Sequence, residues 1–290
     1  MNVSLVVNPL AGNRAFKHID RIKQLLAERT SLSTFITEKR GDALEFARSV
    51  SAPDRILVAS GDGTINEVLN GLMNSDNPDQ HRIPVAVIPL GTTNVLAKEL
   101  GIPETIESAV NLALQGEAKR VSLGRINGHY FSLMAGIGFD GETVMGVKNN
   151  FVKKMSGKAA HILSGLKVLQ HYHPPLITVR TDKDEYSACT AVISNARCYG
   201  GHFYVTPDAS ITEAVLDVCL FKGRTRRSLL RFIAGVLSRR HSRYDDVTIV
   251  KAGEVEVTSE GTVHVQIDGD YFGTLPVTID VVADAASLVW

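Results

Sequence analysis

The sequence predicts an α/β domain with a parallel sheet followed by an all-β domain, a fold class of α/β plus β-sandwich. Three observations carry that expectation. Through the first 120 residues, short apolar runs alternate with stretches whose apolar residues recur at helical spacing. A glycine-bearing turn follows three of those runs, the strand, turn, helix order of a parallel sheet. Beyond that point the rhythm shortens to alternating strands such as Val263, Val265 and Ile267.

The elements follow in order. Val3, Leu5, Val6 and Val7 form a buried strand halted by Asn8-Pro9, with Gly12 in the turn beyond. Phe16, Ile19, Ile22, Leu25 and Leu26 then mark a helix, and strands are expected at residues 33–37 and 56–59. Ile65, Val68, Leu69, Leu72 and Met73 fall on one face of an amphipathic helix. A fourth strand at 85–88 stops at Pro89, and Ile106, Val110 and Leu114 mark a helix before Gly116. The change of rhythm lies at 119–125, which divides the chain into domains 1–122 and 123–290. In the second, strands are expected around 129–134, 188–195, 215–221, 262–268 and 275–282, forming a sandwich or partly open barrel. Two long helical patterns accompany them, one over 151–169 and one on Leu229, Phe232, Ile233, Val236 and Leu237.

A chain of 290 residues hides about three quarters of its unfolded surface, so its core is complete without metal or disulfide. With 44% hydrophobic residues and a mean hydropathy of +0.04 it is neither collagen-like nor disordered. Lys and Arg total 31 against 31 for Asp and Glu, which argues against a surface committed to nucleic acid. Cys189, Cys198 and Cys219 are odd in number and lack CxxC spacing; they read as core thiols in a reducing compartment. No apolar run approaches the roughly 18 residues that span a bilayer, so a cytoplasmic location with peripheral membrane contact is expected.

Ser60-Gly61-Asp62-Gly63-Thr64 follows a strand and opens a helix, so its glycines let backbone N–H groups and a helix N-terminus approach an anion. Alone it reads equally as a tight turn with an Asp or Thr cap. Asn8-Pro9-Leu10-Ala11-Gly12 and Pro89-Leu90-Gly91-Thr92-Thr93-Asn94 place two further glycine turns at the same sheet edge, and a nucleotide-sized polyanion is the natural ligand.

The ordered set NPLAG, SGDGTINEVLNGL and PLGTTN, continued by Gly136-Ile137-Gly138-Phe139-Asp140 and Ile267-Asp268-Gly269-Asp270, resembles the diacylglycerol kinase catalytic family, most closely soluble bacterial lipid kinases of the YegS and BmrU type. The likeness covers nearly the whole chain. It implies a NAD-kinase-like N-terminal domain and a C-terminal β-sandwich, with ATP and lipid meeting in the cleft between them. Carried over by motif, Asn8, Pro9, Leu10, Ala11, Gly12, Gly61, Asp62, Gly63, Thr64, Ile65, Asn66, Glu67 and Thr92 should surround ATP, with Thr37 a weaker match. No Walker lysine is present, so backbone amides and Mg²⁺ would neutralise the phosphates.

Phosphoryl transfer to a lipid hydroxyl needs a carboxylate to take the hydroxyl proton. The resemblance places that base at Asp270, one methylene shorter than the usual Glu; read alone, Asp268-Gly269 is a hairpin turn signal and Asp270 a turn acid. Asp62 is the rival, because sphingosine kinases, which share this turn, place their catalytic aspartate there. The resemblance also implies a structural Mg²⁺, held by a serine, a carboxylate and a main-chain carbonyl, at residues 209–217, where relatives read like ASLDDGLLD. Here Glu213 and Ala214 replace Asp and Gly, leaving Ser210, Glu213 and Val215 as candidate ligands of a second metal with altered reach and turn geometry.

From Lys222 to Arg243 there are eight basic residues and no acid, around a helical apolar face. Contact with an anionic membrane surface is one reading of 222–243; a helix packed on the sandwich with a solvated cationic rim is the other. His171 and His173 sit at a helix end before prolines, where a cap or surface role outweighs a metal site. No order of residues supports hydrolase chemistry. The expected function is an ATP-dependent, Mg²⁺-requiring kinase acting on a primary hydroxyl of a diacylglycerol-like or other long-chain lipid drawn from a membrane. The alternatives are a NAD kinase and a non-catalytic nucleotide- or lipid-binding protein, and an exposed sheet edge could support a homodimer.

Overall fold

The computed structural model describes residues 1–12, 15–149, 169 and 172–290. Two compact units result: Met1–Ser122 with Ala283–Trp290, and Leu123–Val282. The boundary lies within the 119–125 window, but the last eight residues do not follow the expected 123–290 domain. Leu288 and Val289, at the end of the long strand Val277–Val289, pair in parallel with Val85 and Ala86 of the first unit. Sequence periodicity hides this return because Asp284, at a positive φ of 46°, and small residues around it break the alternation.

The first unit holds β1 (Asn2–Val7), α1 (Ala15–Ala27), β2 (Ser31–Ile36), α2 (Asp42–Ser49), β3 (Arg55–Ser60), α3 (Asp62–Met73), β4 (Val85–Pro89), α4 (Val95–Glu99) and α5 (Ile106–Gln115). The strands run parallel in the order β2-β1-β3-β4, with Val7 opposite both Ile36 and Ala59 and Ser60 opposite Pro89. All four carboxyl ends therefore share one edge. β1 and β3 are buried along nearly their whole length, as strands covered on both faces must be, whereas β2 is half exposed at the sheet margin. Two helices escaped the sequence reading: α2 buries only Ala43 and Ala47, and α4 spans five residues, so neither carries a readable apolar period.

β5 (Ala118–Ile126) leads into the second unit, which continues with β6 (His129–Phe131), β7 (Met134–Ile137), α6 (Phe139–Asn149), β8 (Ile177–Thr181), β9 (Glu185–Ala188), β10 (Thr190–Ser194), β11 (Cys198–Tyr199), β12 (Phe203–Tyr204) and β13 (Leu216–Phe221). After α7 (Arg226–Leu237) come β14 (Val247–Ala252), β15 (Glu254–Ser259), β16 (His264–Ile267), β17 (Asp270–Thr274) and β18 (Val277–Val289). One antiparallel sheet has the order β14-β13-β10-β7-β16-β17, and a second carries β18, β15, β8 and β9. Alternate residues of both fill one core, among them Ile137, Ile193, Val218, Val255, Val265 and Ile279. That is a β-sandwich.

The helical pattern expected over 151–169, with its lysines and His171, lies outside the described residues apart from residue 169. The three cysteines are buried free thiols, and burial pushes Cys219 up to about 12. The apolar face of α7 is packed inward: Leu229, Phe232 and Val236 are buried, and Phe232 stacks on Phe221 with ring centroids 4.7 Å apart. Arg231 pairs with Asp246, and Thr225 and Ser228 cap the helix reciprocally. What α7 leaves to solvent is a cationic rim with Leu230 and Leu237.

Candidate functional site

Strand order determines where the first unit binds ligands. From β1 the chain passes to β2 on one side and then crosses to β3 on the other, so connections diverge outside the carboxyl ends of β1 and β3. Open α/β sheets bind at such points. Asn8 follows β1 there and Gly61 follows β3. The Asn8 carboxamide oxygen accepts from the Leu10 N–H at 2.9 Å, and its Nδ2 donates to Thr64 Oγ1 at 3.3 Å. Ser60 Oγ donates to the same Thr64 oxygen at 2.7 Å. Thr37, buried just past β2, donates its N–H to the Val7 carbonyl at 2.9 Å. Four residues distant in sequence are thus joined at one edge.

The three glycine turns meet backbone to backbone. A Cβ on Gly12 would stand 2.7 Å from the Leu90 carbonyl oxygen, and one on Gly61 3.2 Å from Gly91 Cα. Gly12 also has a φ of 62°, which glycine adopts without steric cost. A surface stripped of side chains in this way lets main-chain N–H groups approach phosphate oxygens closely. α3 starts at this surface, with Gly61 as its N-cap and no side chain bonded to the cap, and Gly63 in its first turn is exposed. The edge fits a polyphosphate.

Asp62 has both carboxylate oxygens engaged. Oδ2 accepts from the Val95 N–H at 2.9 Å and Oδ1 from the Leu96 N–H at 3.0 Å, which caps α4 from the first residue of α3. Asn94, at a φ of 49°, donates from Nδ2 to the Gly91 carbonyl at 3.0 Å and completes the turn. Burial pushes the Asp62 carboxyl above its ordinary range, against the downward pull of the two N–H groups. In Asp62→Asn the amide would keep one acceptor and set its NH₂ against the second N–H. We expect the melting midpoint of that variant to fall by about 3–8 °C. A calorimetric scan that overlays the wild type would remove the cap from the account.

The other expected nucleotide residues divide by exposure. Pro9, Ala11 and Gly12 are partly exposed, Leu10 is 84% exposed, and Thr92 is exposed in the third turn. Ile65 is 1% exposed: its side chain belongs to the buried face of α3, so at that position only the backbone is left for a ligand. Glu67 Oε1 accepts from the Gly41 N–H at 3.0 Å, and Asn66 Oδ1 accepts from Asn70 Nδ2 at 3.0 Å, so both side chains brace the protein.

In the second unit, the Asp268-Gly269-Asp270 turn is fixed by two separate devices. Asp268, at a φ of 48°, accepts from the N–H groups of Ser132, Leu133 and Met134 at 2.8, 2.9 and 3.0 Å and from the Ser132 hydroxyl at 3.0 Å. Gly269 donates its N–H to Gln266 Oε1 at 2.7 Å, Gln266 Nε2 donates to Asp140 Oδ2 at 2.6 Å, and the Tyr199 hydroxyl donates to Asp140 Oδ1 at 2.5 Å. Gly136 makes the space, since a Cβ there would collide with the Asp140 carboxylate and the Gln266 amide. Burial beside Asp140 pushes the Tyr199 phenol well above its usual range and keeps it a donor. Asp270 stands exposed at the head of β17, immediately after this braced turn.

Sequence reasoning quoted Asp140 and Asn94 only as parts of motifs and missed Tyr199 and Gln266. Asp140 meets Tyr199 across 59 positions and Gln266 across 126. No local spacing rule connects them.

The second metal expected at Ser210, Glu213 and Val215 fails on its donors. Ser210 Oγ shares a hydrogen bond with Thr212 Oγ1 at 3.0 Å, and Glu213 Oε2 accepts from Lys251 Nζ at 2.7 Å. Among the described residues no group of three or more His, Cys, Asp or Glu side chains is arranged to hold a metal. The residues do not fit a divalent ion.

Comparison with known proteins agrees with both halves. The family profile of the diacylglycerol kinase catalytic domain matches residues 2–126, and that of the YegS C-terminal NAD kinase beta sandwich-like domain matches residues 134–290. A diacylglycerol kinase of Bacillus subtilis (strain 168) is 32% identical over 281 residues, covering 94% of this chain and 90% of its own. One from Staphylococcus saprophyticus is 27% identical over 278 residues, with the same two coverages of 94% and 90%. A solved structure from Bacillus anthracis str. Sterne, assigned provisionally as a diacylglycerol kinase, superposes with a TM-score of 0.83 at 25% identity, covering 100% of this chain and 97% of the other. With the motifs in order, the parallel-sheet and sandwich architecture and these matches along both halves, the chain belongs to the diacylglycerol kinase family of phosphotransferases that act on an alcohol group.

Proposed function

We propose that this protein transfers the γ-phosphoryl group of ATP to a primary hydroxyl of a diacylglycerol-like or other long-chain lipid. The observation that carries the reading is the meeting of three glycine turns at the point where the strand connections diverge, a phosphate-sized surface built from backbone. The relatives named diacylglycerol kinase support the lipid acceptor.

Asn8 to Gly12, Gly61 to Thr64 and Thr92 hold the nucleotide in this reading, with Thr37 setting the end of β2 beside Asn8. Mg²⁺ bound with the phosphates would supply neutralisation of their charge at this edge. Asp270 takes the proton from the lipid hydroxyl as its oxygen bonds to the γ-phosphorus, while the bond from that phosphorus to the β,γ-bridging oxygen breaks and ADP leaves with the electron pair. Asp62 is a positioning residue for the third glycine turn, through its cap on α4. The lipid is membrane-derived, and the exposed rim of α7 with Arg227, Leu230 and Leu237 is the surface we assign to transient membrane contact from the cytoplasmic side.

The test is γ-labelled ATP with Mg²⁺ and a panel of lipids in mixed micelles. Label is expected in an organic-extractable product, with none transferred to NAD. Label in NADP instead would make the protein a NAD kinase, and ATP binding without transfer to any acceptor would make it a binding protein.

A further inference from the structure

The cluster that failed as a metal site already contains a cation. Asp217 lies on β13 opposite Lys251 on β14, and its side chain is only 3% exposed. Among the described residues its Oδ2 accepts no hydrogen bond, although a carboxylate so buried needs a positive charge beside it. Lys251 Nζ stands 3.8 Å from that oxygen and 2.7 Å from Glu213 Oε2, and Asp208 adds its negative field to the same ammonium. The longer side chain of Glu213 is the one that reaches the lysine.

We propose that the Lys251 ammonium is the resident cation of this carboxylate cluster and stands in place of a divalent ion, so that the β13–β14 edge of the sandwich is held without metal. Mg²⁺ would need oxygen ligands at about 2.1 Å in octahedral array, and Glu213, the nearest carboxylate, is taken by the ammonium. Ser210 is turned to Thr212 rather than toward a shared centre. The proposal is independent of the kinase reading, because it concerns the integrity of the second unit and not transfer.

Nucleotide-free protein titrated with Mn²⁺, with bound ion counted by electron paramagnetic resonance, tests it in wild type and Glu213→Gln. The two counts are expected to be equal. In parallel, Lys251→Met is expected to melt about 5 °C or more below wild type and Lys251→Arg within about 2 °C of it. A Mn²⁺ ion held by the wild type and lost in Glu213→Gln overturns the proposal, and so does a Lys251→Met protein that melts with the wild type. Should Lys251→Met not fold while Lys251→Arg does, the lysine charge is confirmed as the requirement; should neither fold, the Mn²⁺ count decides.

Discussion

Asp270→Asn is expected to lower phosphoryl transfer to lipid by about 10²–10⁴-fold while leaving ATP affinity within about twofold. An amide of the same size preserves the turn but cannot accept the hydroxyl proton at neutral pH. The turn has ties of its own: Asp268 holds it to Ser132, Leu133 and Met134, and Gln266 holds Gly269 to Asp140. Loss of turnover at unchanged ATP affinity then separates the chemistry from the fold. Steady-state kcat with micellar lipid and calorimetric ATP binding are the two readouts. Full turnover in the variant would move the base to another residue.

A melting curve beside those two readouts separates Asp270 from Asp62. Both were legible as candidates, one in each motif, and the sequence alone does not rank them. Their surroundings differ in kind: Asp62 is half-buried with both oxygens bonded to backbone N–H groups, whereas Asp270 is exposed at the start of a strand. A carboxylate that already accepts two fixed hydrogen bonds would have to break a helix cap to take a proton. Asp62→Asn should thus register first in the melting curve and only through it in turnover.

Most of the first unit is readable because its order is local. β1, β3 and β4 are short, mostly apolar runs, each followed within a few residues by a glycine turn, and α3 repeats its apolar residues on one face. The nucleotide edge inherits that legibility. What stayed hidden depends on pairs far apart in the chain. Lys251 and Glu213 meet across 38 positions, and Gln266 and Asp140 across 126. The return of Leu288 to Val85 is hidden for the same reason, since strand pairing leaves no mark within either strand. Ile65 belongs to both patterns: its place in the helical period marks its side chain as core, which leaves its backbone for the role that the motif implies.

Gly91→Ala is expected to cost more than any other single methyl group placed at the nucleotide edge. Its Cβ would stand 2.5 Å from Gly61 Cα and 2.6 Å from Asn94 Oδ1, so both neighbours must move. Neither moves freely. Gly61 begins α3, and Asn94 donates to the Gly91 carbonyl while the residues after it are capped by Asp62. Overpacking against fixed backbone costs about 1–3 kcal/mol, which lowers the melting midpoint by about 4–10 °C. The larger loss is in ligand affinity, because separating the second and third turns by the width of a methyl group removes the N–H groups of one from any phosphate held by the other. A fall in ATP affinity of about 100-fold or more is the expected result, about 2.7 kcal/mol at that lower bound. Gly253→Ala is the control, since a Cβ there meets nothing within 4 Å and its backbone is ordinary; its midpoint should stay within about 2 °C of wild type. Equal ATP affinity in wild type and Gly91→Ala would mean that the turns do not act as one surface, and the phosphates would then have to lie on one turn alone.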